Sequence, residues 1–270
     1  GDYFTRDSKR GGAWMNSFRK QYNMNGVDSK PIIVNVLNYP RPAGNEPALL
    51  TFDEASTLFH EFGHALHGML SNVEYRSQGG TAVPRDYVEF PSQVNENWMT
   101  QPEVLAQFAK HYKTGEVIPQ ELVKKIQAAS KFNQGFATVE YMAATKLDLD
   151  WHTLTDTTPK DAAKFEADSL AAMGLIEEIS PRYRSTYFSH IFAGGYSAGY
   201  YSYLWSDILG ADAFEAFKEN GIFDKATADS FRNNILSKGG SDDPMLMYKN
   251  FRGKEAGIEP LLRSRGLLAE

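Results

Sequence analysis

The 270-residue sequence predicts a mainly α-helical domain with a small β-sheet. Three observations carry that expectation. From Val88 onward, apolar residues recur at helical spacing in most segments. One segment, PIIVNVLNYP at 31–40, is a β-branched run between prolines, the pattern of a strand. The composition, 42% hydrophobic and 23% charged without repeats or low-complexity tracts, is that of an ordinary globular chain able to bury a sizeable core.

Residues 1–30 are polar and glycine-containing, with few periodic apolar positions. After the strand, RPAGNEPALL is a loop. Thr51 or Asp53 caps a helix that starts near residue 53, runs through EASTLFHEFGHALHGML and ends near Ser71–Asn72. SNVEYRSQGGTAVPRDY, with its glycines and proline, predicts a loop holding at most a short strand. VNENWMTQPEVLAQFAKHY is helical. The segment from Pro119 to Leu154 is either one long helix or two broken near Gly135. PKDAAKFEADSLAAMGLI forms another helix. Residues 180–217 hold a glycine-rich loop leading into an aromatic helix. ATADSFRNNILSKGG ends on Gly239–Gly240, a helix stop.

Charge and composition exclude several classes. The net charge is -6 with no basic block, which argues against a nucleic-acid partner. The absence of cysteine excludes disulfides, thiolate zinc sites and thiol nucleophiles, so any metal must be held by His, Asp or Glu. No apolar run reaches the roughly 18 residues of a membrane span, and no membrane partner is expected. The opening GDYFTRDSKRGGAWM lacks an initiating Met and a signal-peptide core, so a piece of a longer chain is expected. Lack of cysteine fits a reducing compartment, hence a cytoplasmic location, with a periplasmic one as the alternative.

TLFHEFGHALHGML contains H-E-x-x-H at His60, Glu61 and His64. Helix positions four apart lie about 40° apart on one face, so both imidazoles reach one ion. Catalytic zinc takes three protein ligands and keeps one position open. Glu61 is about 100° round from His60, close enough to serve a water at the metal without ligating it. The third ligand is open on spacing alone. The extended form ending in a third histidine is excluded, because His67 and Leu70 stand where glycine and histidine are required. Pro84 occupies the position of a glutamate twenty residues beyond His64. Glu74, Asp86, Glu89 and Glu96 remain, with Glu74 close to the end of the first helix. His67 reads as a packing residue or a neighbour of the ligands, and His111 and His152 as surface or packing residues.

HIFAGGYSAGYYSYLW places Tyr196, Tyr200 and Tyr203 at i, i+4 and i+7, one face of a helix. Tyrosine is costly in a fully buried stripe, because each hydroxyl needs a partner. Beside Gly194 and Gly195, such a face reads as the wall of a cavity. A hydroxyl that stays protonated at neutral pH can donate to a developing oxyanion. Gly194, Gly195 and Gly199, and similarly Gly79–Gly80, read as mobile loop positions.

FHEFGHALHGML, TAVPRDYVEFPSQVNENW and HIFAGGYSAGYYSYLW together resemble the thimet oligopeptidase family of zinc metallopeptidases. The last stretch is closer to its bacterial peptidyl-dipeptidase branch. The resemblance runs from KRGGAWM to YKNFRGKEAGIEPLLRSRGL, nearly the whole chain, and corresponds to the C-terminal catalytic portion of longer family chains. It implies a zincin-like helical metallopeptidase catalytic domain over 1–270, with a small sheet next to the active site. It also implies one Zn²⁺ on His60, His64 and Glu89, with Glu61 as general base. Tyr203 then donates to the oxyanion with Tyr196 assisting, His190 contacts substrate, and Tyr200, Gly194 and Gly195 bind it. The substrates implied are short peptides. The N-terminal portion of the family chain, not present here, would form the other wall of the substrate channel. Removing C-terminal dipeptides needs a cation for the free carboxylate, and Arg76, Arg85, Arg182, Arg184 and Arg252 are the candidates.

Overall fold

The β-branched run becomes the central strand of a small sheet in the computed structural model, which describes residues 1–268. Five strands precede the first helix: β1 (Asp2–Phe4), β2 (Trp14–Arg19), β3 (Tyr22–Met24), β4 (Val27–Ser29) and β5 (Ile32–Tyr39). The sheet order is β1-β5-β2, with β1 parallel and β2 antiparallel to β5, and β3 and β4 form a separate hairpin. Strand β2 pairs Trp14 with Val36 and Met15 with Asn35, and it is an edge of its sheet. The first thirty residues thus hold four short strands beyond the one anticipated. Strands of three to six residues offer too few alternations to register as a pattern.

Helix α1 (Phe52–Met69) starts on Thr51 rather than Asp53. The Glu54 N–H donates to Thr51 Oγ1, and the Thr51 N–H donates to the Glu54 carboxylate, a reciprocal capping box. After it come α2 (Arg85–Val88), α3 (Phe90–Glu96) and α4 (Pro102–Phe108). The long middle segment is two helices, α5 (Gln120–Ser130) and α6 (Gln134–His152), broken at Asn133, which adopts a left-handed φ of 55°. Next are α7 (Ala162–Ala172), α8 (Ser189–Phe192), α9 (Ser202–Asn220) and α10 (Lys225–Phe231). The last continues as a π-helical turn, Arg232–Leu236. Helices α11 (Pro244–Arg252) and α12 (Glu259–Ser264) complete the order. No helix among the described residues is long and apolar enough to cross a membrane.

Two cores fix the site. In the larger one, Phe90 of α3 packs with Leu209, Phe214, Ile235 and Tyr248, all buried. Each such side chain contributes about 1.5–3 kcal/mol relative to exposure. In the smaller one, Ala144 of α6 packs against Phe188, Ile191 and Tyr200, which seats the aromatic segment on α6. Helices α1 and α3 approach so closely at Gly63 that a Cβ there would lie 2.5 Å from the Ser92 Cα and 2.8 Å from the Pro91 carbonyl.

The loop after α1 contains a short 3₁₀ turn, Arg76–Gln78, and no strand. Gly79–Gly80 is pinned rather than hinge-like. Gly80, at φ 58°, lies against the backbone of Gly68, and its N–H donates to Ser71 Oγ. The aromatic segment also differs from the helical expectation. Helix α9 begins only at Ser202, so Tyr203 alone of the three tyrosines is helical. Tyr196 and Tyr200 lie in the preceding turns, with Gly195 at φ 80° and Ala198 at φ 53°.

Candidate metal centre and active-site cleft

Helix α1 presents His60 and His64 side by side, their ring centroids 4.9 Å apart. Glu89, at the junction of α2 and α3, enters between them. Its Oε2 lies 3.2 Å from His60 Nε2 and 3.0 Å from His64 Nε2. One ligand atom from each of these three residues falls within 4.8 Å of the others. Ligand atoms about 2.0–2.1 Å from a tetrahedral ion lie about 3.3 Å from one another, so the cluster is near the size a zinc ion requires. Two imidazoles and a carboxylate are also the donor set of an open zinc site.

The surroundings orient these groups. His60 Nδ1 lies 2.6 Å from Glu96 Oε1, the carboxylate–imidazole support that commits Nε2 to the cluster. The Tyr196 hydroxyl donates to Glu89 Oε1 at 2.6 Å, and Ser92 Oγ donates to Glu89 Oε2 at 3.3 Å. Burial raises the Glu89 carboxyl pKa, but hydrogen bonds to His60 and His64 more than offset this and hold it well below its ordinary value. Burial likewise opposes charge on His60, yet Glu89 and Glu96 lift its pKa to about 10. With a carboxylate against each nitrogen of the His60 ring, the pocket favours a cation.

Glu61 is 5% exposed, and its Oε2 has no hydrogen-bond partner. Burial raises its pKa, partly countered by His60 and His64. A carboxylate lifted toward neutrality beside the cluster has the character of a general base. Neither Glu74 nor Asp86 joins the group. Glu74 is exposed, and Asp86 accepts the Tyr201 hydroxyl at 2.7 Å. His67 is fully buried with neither ring nitrogen partnered, and it is not part of the cluster.

Tyr196 and Tyr203 stack with centroids 5.2 Å apart, and Tyr200 meets Tyr203 edge-on at 5.4 Å. The tyrosine wall therefore exists, built by turns instead of one helix. Burial, and then Glu89, raise the Tyr203 pKa, so its hydroxyl remains a donor. For Tyr196 the same two causes push the pKa up to about 12. His190 packs against Tyr183, Tyr196, Tyr200 and Tyr203, and burial followed by Arg182 lowers its pKa. A side chain at Gly194 would press on the His190 backbone, 2.9 Å from its Cα.

Two cavities meet at His60, His190 and Tyr203. The larger, about 970 Å³, is lined by edge strand β2, Glu61, His64, Glu89, Tyr196 and Gly194. The smaller, about 420 Å³, is lined by Gln93, Arg182, Tyr183 and Tyr200. A third, apolar cavity of about 790 Å³ lies against Leu58, Phe62 and Leu66 and includes none of the cluster residues.

Sequence reasoning missed Asp148. Its buried carboxylate on α6 accepts the N–H groups of Ala198 and Tyr200 at 2.9 and 2.8 Å, and His152 Nδ1 lies 2.8 Å from it. An aspartate inside a helix facing a loop 50 residues away has no local signature.

Sequence comparison gives a consistent result. The profile described as Peptidase family M3 matches residues 1–267. Dipeptidyl carboxypeptidase of Escherichia coli (strain K12) is 48% identical over 269 residues, covering 99% of this chain and 39% of the relative. Oligopeptidase A of the same organism is 43% identical over 273 residues, 98% of this chain and 40% of the relative. Organellar oligopeptidase A of Arabidopsis thaliana is 40% identical over 279 residues, 99% of this chain and 35% of the relative. The chain spans about two fifths of the length of these relatives.

Proposed function

The chain belongs to peptidase family M3, and on that premise we propose that it is the catalytic portion of a zinc peptidase that releases C-terminal dipeptides from short peptides. The observation that carries the proposal is the convergence of His60, His64 and Glu89 on one small volume beside an unpartnered, buried Glu61. The dipeptidyl reading draws on the relatives named dipeptidyl carboxypeptidase, two of which are 48% and 45% identical.

In this reading His60, His64 and Glu89 hold one zinc ion. Bound there, zinc supplies Lewis acidity, lowering the pKa of water and polarising a carbonyl. Glu61 takes a proton from the attacking water and returns it to the departing amine. The Tyr203 hydroxyl, kept protonated by burial, donates to the oxygen that gains negative charge. Tyr196 serves mainly to hold Glu89 through its second carboxylate oxygen, and assists Tyr203 by stacking. His190 and Tyr200, with Gly194 against the His190 backbone and the exposed Gly195 at φ 80°, shape the surface where the peptide lies. Edge strand β2 beside the larger cavity offers backbone groups to an extended chain. The portion of the relatives not represented here supplies the other wall of the channel. A cytoplasmic setting is our reading for a chain without cysteine.

Metal analysis combined with mass spectrometry of a digested short peptide tests this. Stoichiometric zinc and dipeptide products are expected. Internal cleavage of peptides with amidated C-termini would instead favour an endo-acting oligopeptidase; the 43% identical relative is named oligopeptidase A. Zinc binding without turnover would make this chain a binding half that needs the rest of the channel.

A further inference from the structure

Helix α3 carries a further polar residue between Glu89 and Glu96. Glu89, Gln93 and Glu96 follow one another at i, i+4 and i+7, one stripe of a helix. The Gln93 N–H donates to the Glu89 carbonyl at 2.9 Å, so the helical register runs unbroken from the cluster to Gln93. Glu89 enters the cluster, and Glu96 Oε1 lies 2.6 Å from His60 Nδ1. Gln93 reaches across to α9 instead, where its Nε2 donates to the Tyr203 carbonyl at 3.1 Å. We propose that Gln93 is a positioning residue, which ties Tyr203 to the helix of the third metal ligand and so sets the phenol for the oxygen that gains charge. This deepens the zinc-peptidase reading above and rests on it.

The bond has one chemical sense. A carbonyl oxygen only accepts, so the NH₂ end of the Gln93 amide must face Tyr203. Gln93 Oε1 is buried without a partner, which leaves the bond to Tyr203 as the side chain's one hydrogen bond among the described residues. A side chain that only filled this space would do so at lower cost without polar atoms. What the amide adds is the donor to Tyr203.

Tyr203 needs such a hold because its own helix has barely begun. Helix α9 starts at Ser202, and its N-cap, Tyr201, makes no side-chain capping bond. Neighbouring helices hold the first turn: the Leu204 N–H donates to the Tyr141 hydroxyl of α6 at 3.2 Å, and Gln93 of α3 donates to the Tyr203 carbonyl. The Tyr203 ring stacks on Tyr196, whose hydroxyl donates to Glu89 Oε1. Ring and backbone of Tyr203 are thus both tied to α3, one by way of Glu89 and the other by way of Gln93. Of these two ties, the second contains no metal ligand and can be cut while the cluster is left intact. His60, Gln93, Glu96 and Tyr203 all line the smaller cavity.

Calorimetric titration of the zinc-loaded chain with a phosphinic peptide, which places an anionic oxygen where the reacting carbonyl would be, tests this. Tyr203→Phe should bind it about ten- to hundredfold more weakly, the loss of one charge-assisted donor. Gln93→Met keeps the bulk and removes the donor. It should bind about tenfold more weakly, with zinc content and melting temperature unchanged. In the Tyr203→Phe background the same change should cost less than about twofold, because the group it positions is gone. A purely structural role would subtract equally from both backgrounds. Unaltered affinity in Gln93→Met, or an undiminished loss in the Tyr203→Phe background, overturns the proposal. Gln93→Leu repeats the measurement with a second apolar side chain. Loss of zinc or of the folded state in both variants also overturns it, by making Gln93 a prop of the fold. A zinc-loaded, unaltered chain that binds no phosphinic peptide removes the peptidase reading of this chain together with the proposal, whereas a Gln93 effect independent of Tyr203 removes the proposal alone.

Discussion

The buried carboxylate of Asp148 on α6 is joined to the backbone of Tyr200: the Tyr200 N–H donates to Asp148 Oδ2 at 2.8 Å. The other oxygen takes the Ala198 N–H at 2.9 Å, so one buried carboxylate fixes both sides of a turn that contains a left-handed alanine. That turn leads directly into Tyr203. Position thus passes from α6, through backbone amides, to the proposed oxyanion donor. Asp148→Ala leaves two amides without their acceptor, at about 1–3 kcal/mol for each that stays buried and unpaired. The expected result is a kcat at least about tenfold lower with zinc content intact, since no metal ligand is touched. Asp148→Asn keeps one acceptor oxygen and should fall between. A folded Asp148→Ala protein with unchanged kcat would show that the turn holds itself.

Gly63 lies inside the H-E-x-x-H motif but acts through packing. A β-carbon there would sit 2.5 Å from the Ser92 Cα, a backbone atom that cannot swing aside. Gly63→Ala must therefore separate α1 from α3, and α3 starts beside Glu89. Overpacking of this kind costs about 1–3 kcal/mol. The variant should melt at a lower temperature and bind zinc at least about tenfold more weakly. Wild-type values for both would mean that the helices part without moving Glu89.

How much of this was legible in the sequence depends on how local each feature is. His60, Glu61 and His64 needed only the period of one helix, while the capping pattern narrowed the helix start to Thr51 or Asp53, and the structure selects Thr51. Glu89 was one of several acids by spacing, because its place comes from the packing of α1 on α3 across a loop of irregular backbone. The tyrosines were grouped correctly for a wrong reason. A 3.6-residue period was read into a stretch where Gly195 and Ala198 take positive φ values, and the rings meet through turns. Asp148 was not identifiable in advance, since only its tertiary contacts with the Ala198 and Tyr200 amides distinguish it from other charged residues.

Tyr203→Phe and Glu61→Gln divide the proposed chemistry. Removing one oxyanion donor costs about 2.7–4 kcal/mol of transition-state stabilisation, so Tyr203→Phe should lower kcat by two to three orders of magnitude, roughly. Glu61→Gln should retain zinc and lose turnover, because the amide cannot accept the proton. Steady-state kinetics with metal analysis on both variants checks this. Loss of zinc in Glu61→Gln would reassign Glu61 from base to ligand support.

His67 links the fold to acidity. It is wholly buried with both ring nitrogens unpartnered, and burial, with a smaller contribution from His64, pushes its pKa down to about 3. The unfolded chain, with an ordinary histidine value near about 6.5, binds the proton more readily than the folded one. Stability must therefore rise with pH between those values. The contribution is complete above about 6.5 and is lost as pH falls toward about 3, at up to about 1.4 kcal/mol per pH unit. His67→Leu has similar bulk, no proton to bind and no unpaired nitrogen to bury. It should be neutral or stabilising near pH 8, with an advantage over the unaltered chain that grows on acidification. Melting temperatures of both proteins in chelator, at about pH 7.5 and about pH 5, measure this. The remaining titrating groups are common to both, so the difference isolates His67. An advantage that stays constant between the two pH values would show that His67 is hydrated in the folded protein and titrates freely.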